Sequence, residues 1–99
     1  MVKQIKATEQ FSYWLDSLKD IQGRARIQAR IQRLASGNPG AHRNLRLGVS
    51  ELKIDIGPGY RVYYTQRQNV LIILLCGGDK ASQRADIELV YQLVNKLEV

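Results

Sequence analysis

Hydrophobic residues recur at helical spacing in two segments near the start of the chain. The first set is Phe11, Trp14, Leu15 and Leu18, and the second is Ile27, Ile31, Leu34 and Ala35. Each set places apolar side chains on one face of a helix. Thr8 is a candidate N-cap for the first helix, and the glycines and proline of residues 36–40 (SGNPG) end the second. The pattern predicts a helical hairpin, preceded by a short strand over residues 3–7.

The period of the hydrophobic pattern changes to two in the middle of the chain. Alternate residues are apolar in ELKIDI (51–56) and in YRVYYTQ (60–66), and the turn residues Gly-Pro-Gly separate the two segments. This spacing predicts a β-hairpin. Residues 70–76 (VLIILLC) are apolar on both faces, as in a central strand that is covered on both sides. Residues 41–48 (AHRNLRLG) form a basic loop with a candidate short strand at 45–47.

The last part of the chain predicts one more helix. Residues 77–79 (GGD) are expected to leave the sheet, and Asp79 or Ser82 is expected to cap the helix. Its apolar positions are Ile87, Val90, Tyr91, Val94 and Leu97. The predicted fold class is α+β, with an N-terminal helical hairpin, a three- to four-stranded antiparallel sheet and a C-terminal helix, all helices packing on one sheet face. We expect residues 1–99 to form one domain.

Composition narrows the classes of partner. The 15 Lys and Arg residues against 9 Asp and Glu give a net charge of +6, which favours a polyanionic partner such as nucleic acid or the ribosome. The longest apolar run, residues 70–76, is far shorter than the ~20 residues that span a bilayer. We therefore expect a cytoplasmic protein with no membrane partner. Cys76 is the single cysteine, so we expect no internal disulfide, no bound metal and no cofactor.

The predicted hairpin gathers basic and phenolic side chains on one open face. A three-residue turn at 57–59 sets Arg61 opposite Asp55 and Tyr63 opposite Lys53. One interpretation is an ordinary solvated sheet face with a cross-strand ion pair. The other is a site for phosphodiester cleavage, because cations and a phenol are gathered there without a metal site.

Metal-independent RNA cleavage needs a base for the ribose 2′-hydroxyl, a cation for the phosphate and an acid for the leaving 5′-oxygen. Lys53 or Lys80 is the candidate base, since a lysine acts as a base where burial or neighbouring cations favour its neutral form. Arg61 is the candidate phosphate ligand, because a guanidinium binds two oxygens in one plane. Tyr63 could donate a proton or stack on a nucleobase. His42 is the single histidine, which excludes a two-histidine mechanism within one chain.

A second group of basic residues lies outside this hairpin. Arg26, Arg30 and Arg33 fall on one face of the second predicted helix, away from its apolar residues, and Arg43 and Arg46 lie in the basic loop. Such stripes are commonly just the solvated faces of helices. Alternatively, these five arginines bind RNA or the ribosome through phosphate contacts that weaken with salt.

Two sequence motifs resemble those of a known toxin superfamily. GVSELKIDIGPGYRVYY (48–64) and CGGDKASQRADI (76–87) are similar to the paired motifs of the RelE/HigB-type toxins, in the branch called phage-derived addiction module killer proteins. The order and spacing of the other segments also resemble that branch, nearly from end to end. The resemblance implies the toxin of a type II toxin-antitoxin system, an endoribonuclease that cleaves messenger RNA on the ribosome, inhibits translation and is neutralised by a helix-turn-helix antitoxin.

The resemblance also implies functional residues. By position, it assigns Arg61 as the strand arginine, Lys53 as the preceding basic residue, and Asp79, Lys80 and Gln83 as members of the second motif. We take Lys53, Arg61, Tyr63 and Lys80 as the candidate catalytic residues and add Gln83 to the candidate RNA-binding residues. At the position of Lys53, members of this branch often have arginine. Lysine keeps the positive charge but cannot bind two oxygens in one plane as a guanidinium does.

Two alternative functions stay open on the sequence. Related ParE-type members of the superfamily inhibit DNA gyrase and leave RNA intact. A non-enzymatic module that binds nucleic acid or the ribosome would depend on the helical arginines and would tolerate the loss of Arg61.

Overall fold

The computed structural model describes residues 2–97 and contains three helices and five strands in that range. In chain order these are β1 (Gln4–Ala7), α1 (Glu9–Ser17), α2 (Ile21–Ala35), β2 (His42–Asn44), β3 (Val49–Ile54), β4 (Tyr60–Arg67), β5 (Leu71–Asp79) and α3 (Gln83–Asn95). No helix in this range is both long enough and apolar enough to cross a membrane. The predicted α+β class and the order of its main elements are confirmed.

The strands form one mixed sheet in the order β1-β5-β4-β3-β2. Strand β1 runs parallel to β5, and the other neighbours are antiparallel. Strands β2 to β5 form the expected four-stranded antiparallel arrangement, and the correction is that β1 joins the same sheet as a fifth strand, parallel to β5. The short strand in the basic loop lies at His42–Asn44 and not at 45–47, where the chain already turns towards β3.

Side-chain caps define the starts of the first two helices. Thr8 Oγ1 accepts a hydrogen bond from the backbone N–H of Phe11 at 3.0 Å, as predicted for an N-cap. The same hydroxyl donates to the Leu75 carbonyl at 2.7 Å and so fastens the start of α1 to β5. Asp20 caps α2 by accepting from the N–H of Gly23 at 2.9 Å. Helix α1 ends at Ser17, three residues before this cap.

The helices cover both faces of the sheet. Helices α1 and α2 pack on one face, where the fully buried residues include Ile27, Leu52, Val62 and Ile72. Helix α3 packs on the other face, where Val49, Tyr63, Leu75 and Val90 are buried. The expectation that all helices share one face is wrong. The physical reason is β5, which is apolar on both faces and therefore requires cover on both.

Two glycines let both helical layers approach the end of β5. The expectation that residues 77–79 leave the sheet is wrong, because Gly77 and Gly78 pair with β4 up to Asp79. A Cβ on Gly77 would overlap the indole of Trp14, and a Cβ on Gly78 would overlap the carboxylate of Asp86. The Gly-Gly pair is thus needed for close packing of α1 on one side and α3 on the other.

The β3–β4 hairpin has a longer turn than predicted. Ile54 pairs with Tyr60 and Lys53 pairs with Arg61, so the register differs by two residues from the expected one. The turn spans residues 55–59, and the Gly59 N–H donates to the Ile56 carbonyl at 2.9 Å. Because the shift is even, each side chain stays on its predicted face of the sheet.

Candidate functional site

An open cleft lies at the turn end of the β3–β4 hairpin, on the side of the sheet that carries α3. Its volume is about 420 Å³. The lining residues are Lys53, Asp55, Gly57, Pro58, Gly59, Arg61 and Lys80. The structure thus brings together three of the four candidate catalytic residues, whereas the fourth, Tyr63, does not line the cleft.

Two of the cleft's cations face each other directly. Lys53 on β3 is the cross-strand partner of Arg61 on β4, and directly paired residues have Cα atoms about 4.5–5.5 Å apart. Like charges in this position repel each other and destabilise the pair. An anion placed between the two side chains would relieve that repulsion, so the pair favours the binding of a negatively charged ligand.

Arg61 forms the floor of the cleft and is only 6% exposed. Its Nη1 donates to the Tyr60 carbonyl at 3.0 Å and to Asp55 Oδ1 at 3.2 Å. Its Nε is buried and has no hydrogen-bond partner among the described residues. The predicted ion pair between Asp55 and Arg61 is therefore present, although Asp55 lies in the turn and not opposite Arg61 in the ladder. A nearly buried guanidinium whose Nη2 makes no hydrogen bond to the described residues is suited to an anionic ligand.

Lys80 approaches the same cleft from the end of β5. A Cβ built on Gly59 would lie 3.4 Å from Lys80 Cβ and 3.7 Å from Arg61 Nη1, so both side chains flank this glycine. The turn that carries Lys80 is held by Ser82, whose N–H donates to Asp79 Oδ1 at 3.0 Å and whose hydroxyl donates to Asp86 Oδ2 at 2.6 Å. Burial raises the pKa of Asp86. These hydrogen bonds hold the turn and so keep Lys80 near Arg61, although they join only Asp79, Ser82 and Asp86.

Tyr63 does not lie on an open face. Its side chain is fully buried beneath α3, and its hydroxyl has no hydrogen-bond partner within residues 2–97. Burial, followed by the neighbouring carboxylate of Glu51, raises the pKa of Tyr63 well above its usual value. The expectation that Tyr63 faces solvent beside Lys53 is wrong, because α3 covers this part of the sheet. Tyr63 therefore contributes to the core under the helix and not to the surface of the cleft.

A buried carboxylate explains the positions of two candidate RNA-binding residues. Glu51 is fully buried and accepts hydrogen bonds from Arg43 Nε at 3.1 Å and from Gln83 Nε2 at 2.8 Å. Arg43 on β2 and Gln83 on α3 are thereby joined through β3. Sequence reasoning missed Glu51 because period-two alternation places it on a face that appears polar and exposed. The signal that could have found it is the apolar character of β5 on both faces, which requires cover over Glu51 as well.

Arg30 is a structural residue and not part of a solvated stripe. It is 9% exposed, and its Nη1 donates to the Lys53 carbonyl at 2.7 Å. Its Nη2 donates to the carbonyls of Pro39 and Ala41, each at 2.9 Å. Burial lowers the pKa of Arg30. The expectation of an exposed Arg30 is wrong, and the spacing of residues along α2 could have indicated its burial.

That signal is the position of Arg30 on the apolar face of α2. It lies three residues after Ile27 and four before Leu34, and both are buried core residues. Arg26 and Arg33, the other two members of the predicted stripe, are exposed. The hydrogen bond from Arg30 to Lys53 also ties α2 to a strand residue of the cleft.

Arg46 holds the β2–β3 loop against α3. Its backbone N–H donates to the Tyr91 hydroxyl at 3.2 Å, and its guanidinium lies over the Tyr91 ring with its central carbon 4.9 Å from the ring centroid. This is a cation–π contact at the protein surface. Arg46 is exposed, and its position is fixed by the contact with the C-terminal helix.

Comparison with known proteins places the chain in a family. No family model matches it. An uncharacterized protein of Haemophilus influenzae is 47% identical over 97 residues, which is 98% of each chain. The two chains therefore belong to one family.

Solved structures identify the fold. A mutant of the Escherichia coli toxin RelE in its free state superposes with a TM-score of 0.69 at 17% identity, covering 97% of both chains. The chain has the RelE-type toxin fold. The intact E. coli RelBE toxin-antitoxin complex gives a TM-score of 0.60 at 18% identity, covering 78% of this chain and 95% of the matched one. The RelE-type resemblance predicted from the two motifs is confirmed at the level of the fold.

Within the RelE-type fold, the cleft contains three cations and one carboxylate. Lys53 and Arg61 come from the central hairpin, and Lys80 comes from the turn before α3. Asp55 is the residue that sequence reasoning did not include in the site, although it pairs with Arg61. The arrangement can bind a phosphate group from several sides.

Proposed function

We propose that this protein is the toxin of a type II toxin-antitoxin system and that it is a metal-independent endoribonuclease, which cleaves messenger RNA on the ribosome and inhibits translation. The observation that carries the proposal is the convergence of Lys53, Arg61 and Lys80 on one cleft. The RelE-type fold supports it, since one neighbour in that fold is named a toxin and another is a toxin-antitoxin complex.

The cleft supplies the groups that the reaction needs. Arg61 binds the non-bridging phosphate oxygens, because it lines the cleft and its guanidinium is held in a nearly buried position by its hydrogen bonds. The ribose 2′-oxygen attacks phosphorus, the bond from phosphorus to the 5′-oxygen breaks, and a 2′,3′-cyclic phosphate forms. One lysine removes the 2′-hydroxyl proton and the other protonates the leaving 5′-oxygen, and Lys53 and Lys80 are the two candidates for these roles. Tyr63 has no part in this scheme because it is buried.

The proposed protein partner is a small antitoxin of the helix-turn-helix type. The net charge of +6 favours an acidic partner as well as RNA. The RelBE complex, which covers 78% of this chain, supports an antitoxin partner for this fold. Co-expression of the chain with the product of a short neighbouring reading frame should give a stable complex that suppresses its activity.

Cleavage in a reconstituted translation system tests the proposed function. The purified protein is added to translating ribosomes, and the mRNA is mapped for new ends and for the chemical groups on those ends. We expect cleavage that leaves a 2′,3′-cyclic phosphate and a 5′-hydroxyl, because the 2′-oxygen attacks phosphorus in the metal-independent reaction. Ends that carry a 3′-hydroxyl and a 5′-phosphate would contradict a metal-independent mechanism. A parallel supercoiling assay covers the alternative: inhibition of DNA gyrase with intact mRNA would contradict the proposal and favour a ParE-like toxin. Binding of RNA with neither effect would favour a non-enzymatic module.

A further inference from the structure

Asp55 occupies an unusual position in the cationic cleft. Among the described residues that line the cleft, only Asp55 is acidic. Its side chain is 72% exposed, yet its Oδ1 lies 3.2 Å from Nη1 of the nearly buried Arg61. The Asp55 carboxylate makes no other hydrogen bond within residues 2–97. Arg61 is therefore the single hydrogen-bond partner of this carboxylate among the described residues.

The geometry of Arg61 restricts how a phosphate can bind. Its Nε is buried, so a ligand in the cleft meets only the terminal nitrogens. Nη1 carries two hydrogens, and its two acceptors are the Tyr60 carbonyl and the Asp55 carboxylate. The Tyr60 carbonyl belongs to the backbone of β4 and cannot move away. A phosphate that bridges the two terminal nitrogens must therefore take the place of Asp55.

We propose that Asp55 is a resident anion, which occupies part of the phosphate position on Arg61 and is displaced when RNA binds. The inference rests on the proposed function in one respect, namely that the cleft receives a phosphodiester. Arg61 is nearly buried, so a nearby anion favours its charged side chain when the cleft is empty. An ion pair with a mostly exposed carboxylate is weak, so this partner is easily exchanged.

This exchange determines which anions the cleft accepts. A single inorganic phosphate must compete with a carboxylate that is tethered beside Arg61 and is therefore present at high effective concentration. A phosphodiester in RNA contacts Lys53 and Lys80 at the same time and has neighbouring phosphates that reach other basic residues, so it displaces Asp55 more readily. Asp55 is thus a specificity-determining residue that favours RNA over the small anions of the cell.

Binding of a non-cleavable probe tests the inference. The probe is a short, fully 2′-O-methylated RNA with a fluorescent label, which lacks the attacking hydroxyl, and its dissociation constant is measured by fluorescence anisotropy. Asp55→Asn should bind the probe roughly three- to tenfold more tightly than the wild type, because the competing charge is gone. Inorganic phosphate should displace the probe from Asp55→Asn at a several-fold lower concentration than from the wild type.

Asp16→Asn is the matched control. Asp16 is also an exposed carboxylate that pairs with an arginine, at 3.8 Å from Arg24 Nη2, and it does not line the cleft. The substitution makes the same change in net charge, so it measures the general electrostatic gain, which we expect to be less than about twofold. In an Arg61→Ala background, Asp55→Asn should raise the affinity for the probe no more than Asp16→Asn does. The reason is that the Arg61 nitrogen for which Asp55 and the phosphate compete is then absent.

The outcomes separate this inference from the proposed function. If Arg61→Ala weakens probe binding but Asp55→Asn leaves it unchanged or weakens it, the resident-anion inference is overturned and the phosphate cleft stands. If Arg61→Ala has no effect on binding, the proposed function itself is contradicted. Asp55→Ala should reproduce the gain of Asp55→Asn, and melting temperatures close to the wild type show that the variants are folded.

Discussion

The Tyr60 hydroxyl donates a hydrogen bond to Asp20 Oδ2 at 2.7 Å, and this contact joins the start of α2 to the hairpin that carries the cleft. Asp20 also caps α2 through the Gly23 N–H. These two hydrogen bonds, the backbone one first, lower the pKa of Asp20. Burial and the bond to Asp20 raise the pKa of Tyr60 to about 12. One carboxylate therefore stabilises both a helix terminus and the strand next to Arg61.

The first prediction concerns the pH dependence of this contact. A carboxylate whose pKa is lower in the folded state stabilises the protein above its unfolded pKa, near 3.8 for Asp20, and that stabilisation is lost as the pH falls through the folded pKa. Asp20→Asn should lower the melting temperature by several degrees at pH 7, because asparagine has one acceptor oxygen where Asp20 uses two, for the Gly23 N–H and the Tyr60 hydroxyl. The difference from the wild type should shrink as the pH is lowered from 5 to 2. A difference that is constant over this range would contradict the assignment.

The second prediction concerns Arg30, which binds three backbone carbonyls. Arg30→Met keeps most of the apolar volume but leaves those oxygens without their donor, so it should lower the free energy of unfolding by about 2–4 kcal/mol. Arg33→Met is the control on the same helix, because Arg33 is exposed, and its effect should stay within about 0.5 kcal/mol. Urea denaturation measures both. Equal effects of the two substitutions would show that the Arg30 hydrogen bonds do not stabilise the fold.

The third prediction concerns Tyr63, whose buried hydroxyl makes no hydrogen bond to the described residues. Tyr63→Phe removes an unsatisfied polar group, so stability should stay the same or rise by up to about 1 kcal/mol. RNA cleavage should keep the wild-type rate. A large loss of rate in a folded Tyr63→Phe protein would restore Tyr63 as a catalytic residue and would require α3 to move during the reaction.

The fourth prediction concerns docking on the ribosome. Arg26 and Arg33 are exposed on α2, and neither makes a hydrogen bond or ion pair with the described residues. Charge reversal of both, to glutamate, should weaken ribosome binding and reduce its salt dependence, since fewer counterions are released. Co-sedimentation with ribosomes at several salt concentrations measures this effect. Unchanged binding would show that another surface docks on the ribosome.

Much of the fold followed from local pattern. The helical periods around Phe11 and Ile31, the Thr8 cap and the alternating hairpin each depend on residues close in sequence. The position of α3 did not follow, because an amphipathic helix shows that one face is buried but not which sheet face covers it. The parallel pairing of β1 with β5 is likewise a contact between distant segments, and its four residues contain no signal for direction.

In the candidate site as well, features set by local sequence could be predicted, and features set by contacts between distant segments could not. Lys53 and Arg61 could be placed on one sheet face because strand alternation survives a register shift of two residues. The exclusion of Tyr63 and the burial of Glu51 were not predicted, because both result from the cover of α3. The apolar character of β5 on both faces indicated that some element covers this face, but the local pattern did not assign α3 to it. Asp55 was visible as a partner of Arg61, but its place in the cleft depends on the length of the turn.

Initial rates of mRNA cleavage on translating ribosomes, compared for the wild type, Arg61→Ala and Arg67→Ala, test the central claim most directly. Arg67 is the matched control, because it lies on the same strand but six residues, about 20 Å, further along. We predict that Arg61→Ala lowers the rate by roughly 10²- to 10³-fold, as expected for the loss of a group that stabilises transition-state charge. Arg67→Ala should leave the rate unchanged. Equal rates for the wild type and a folded Arg61→Ala protein, or no cleavage by the wild type, would contradict the account.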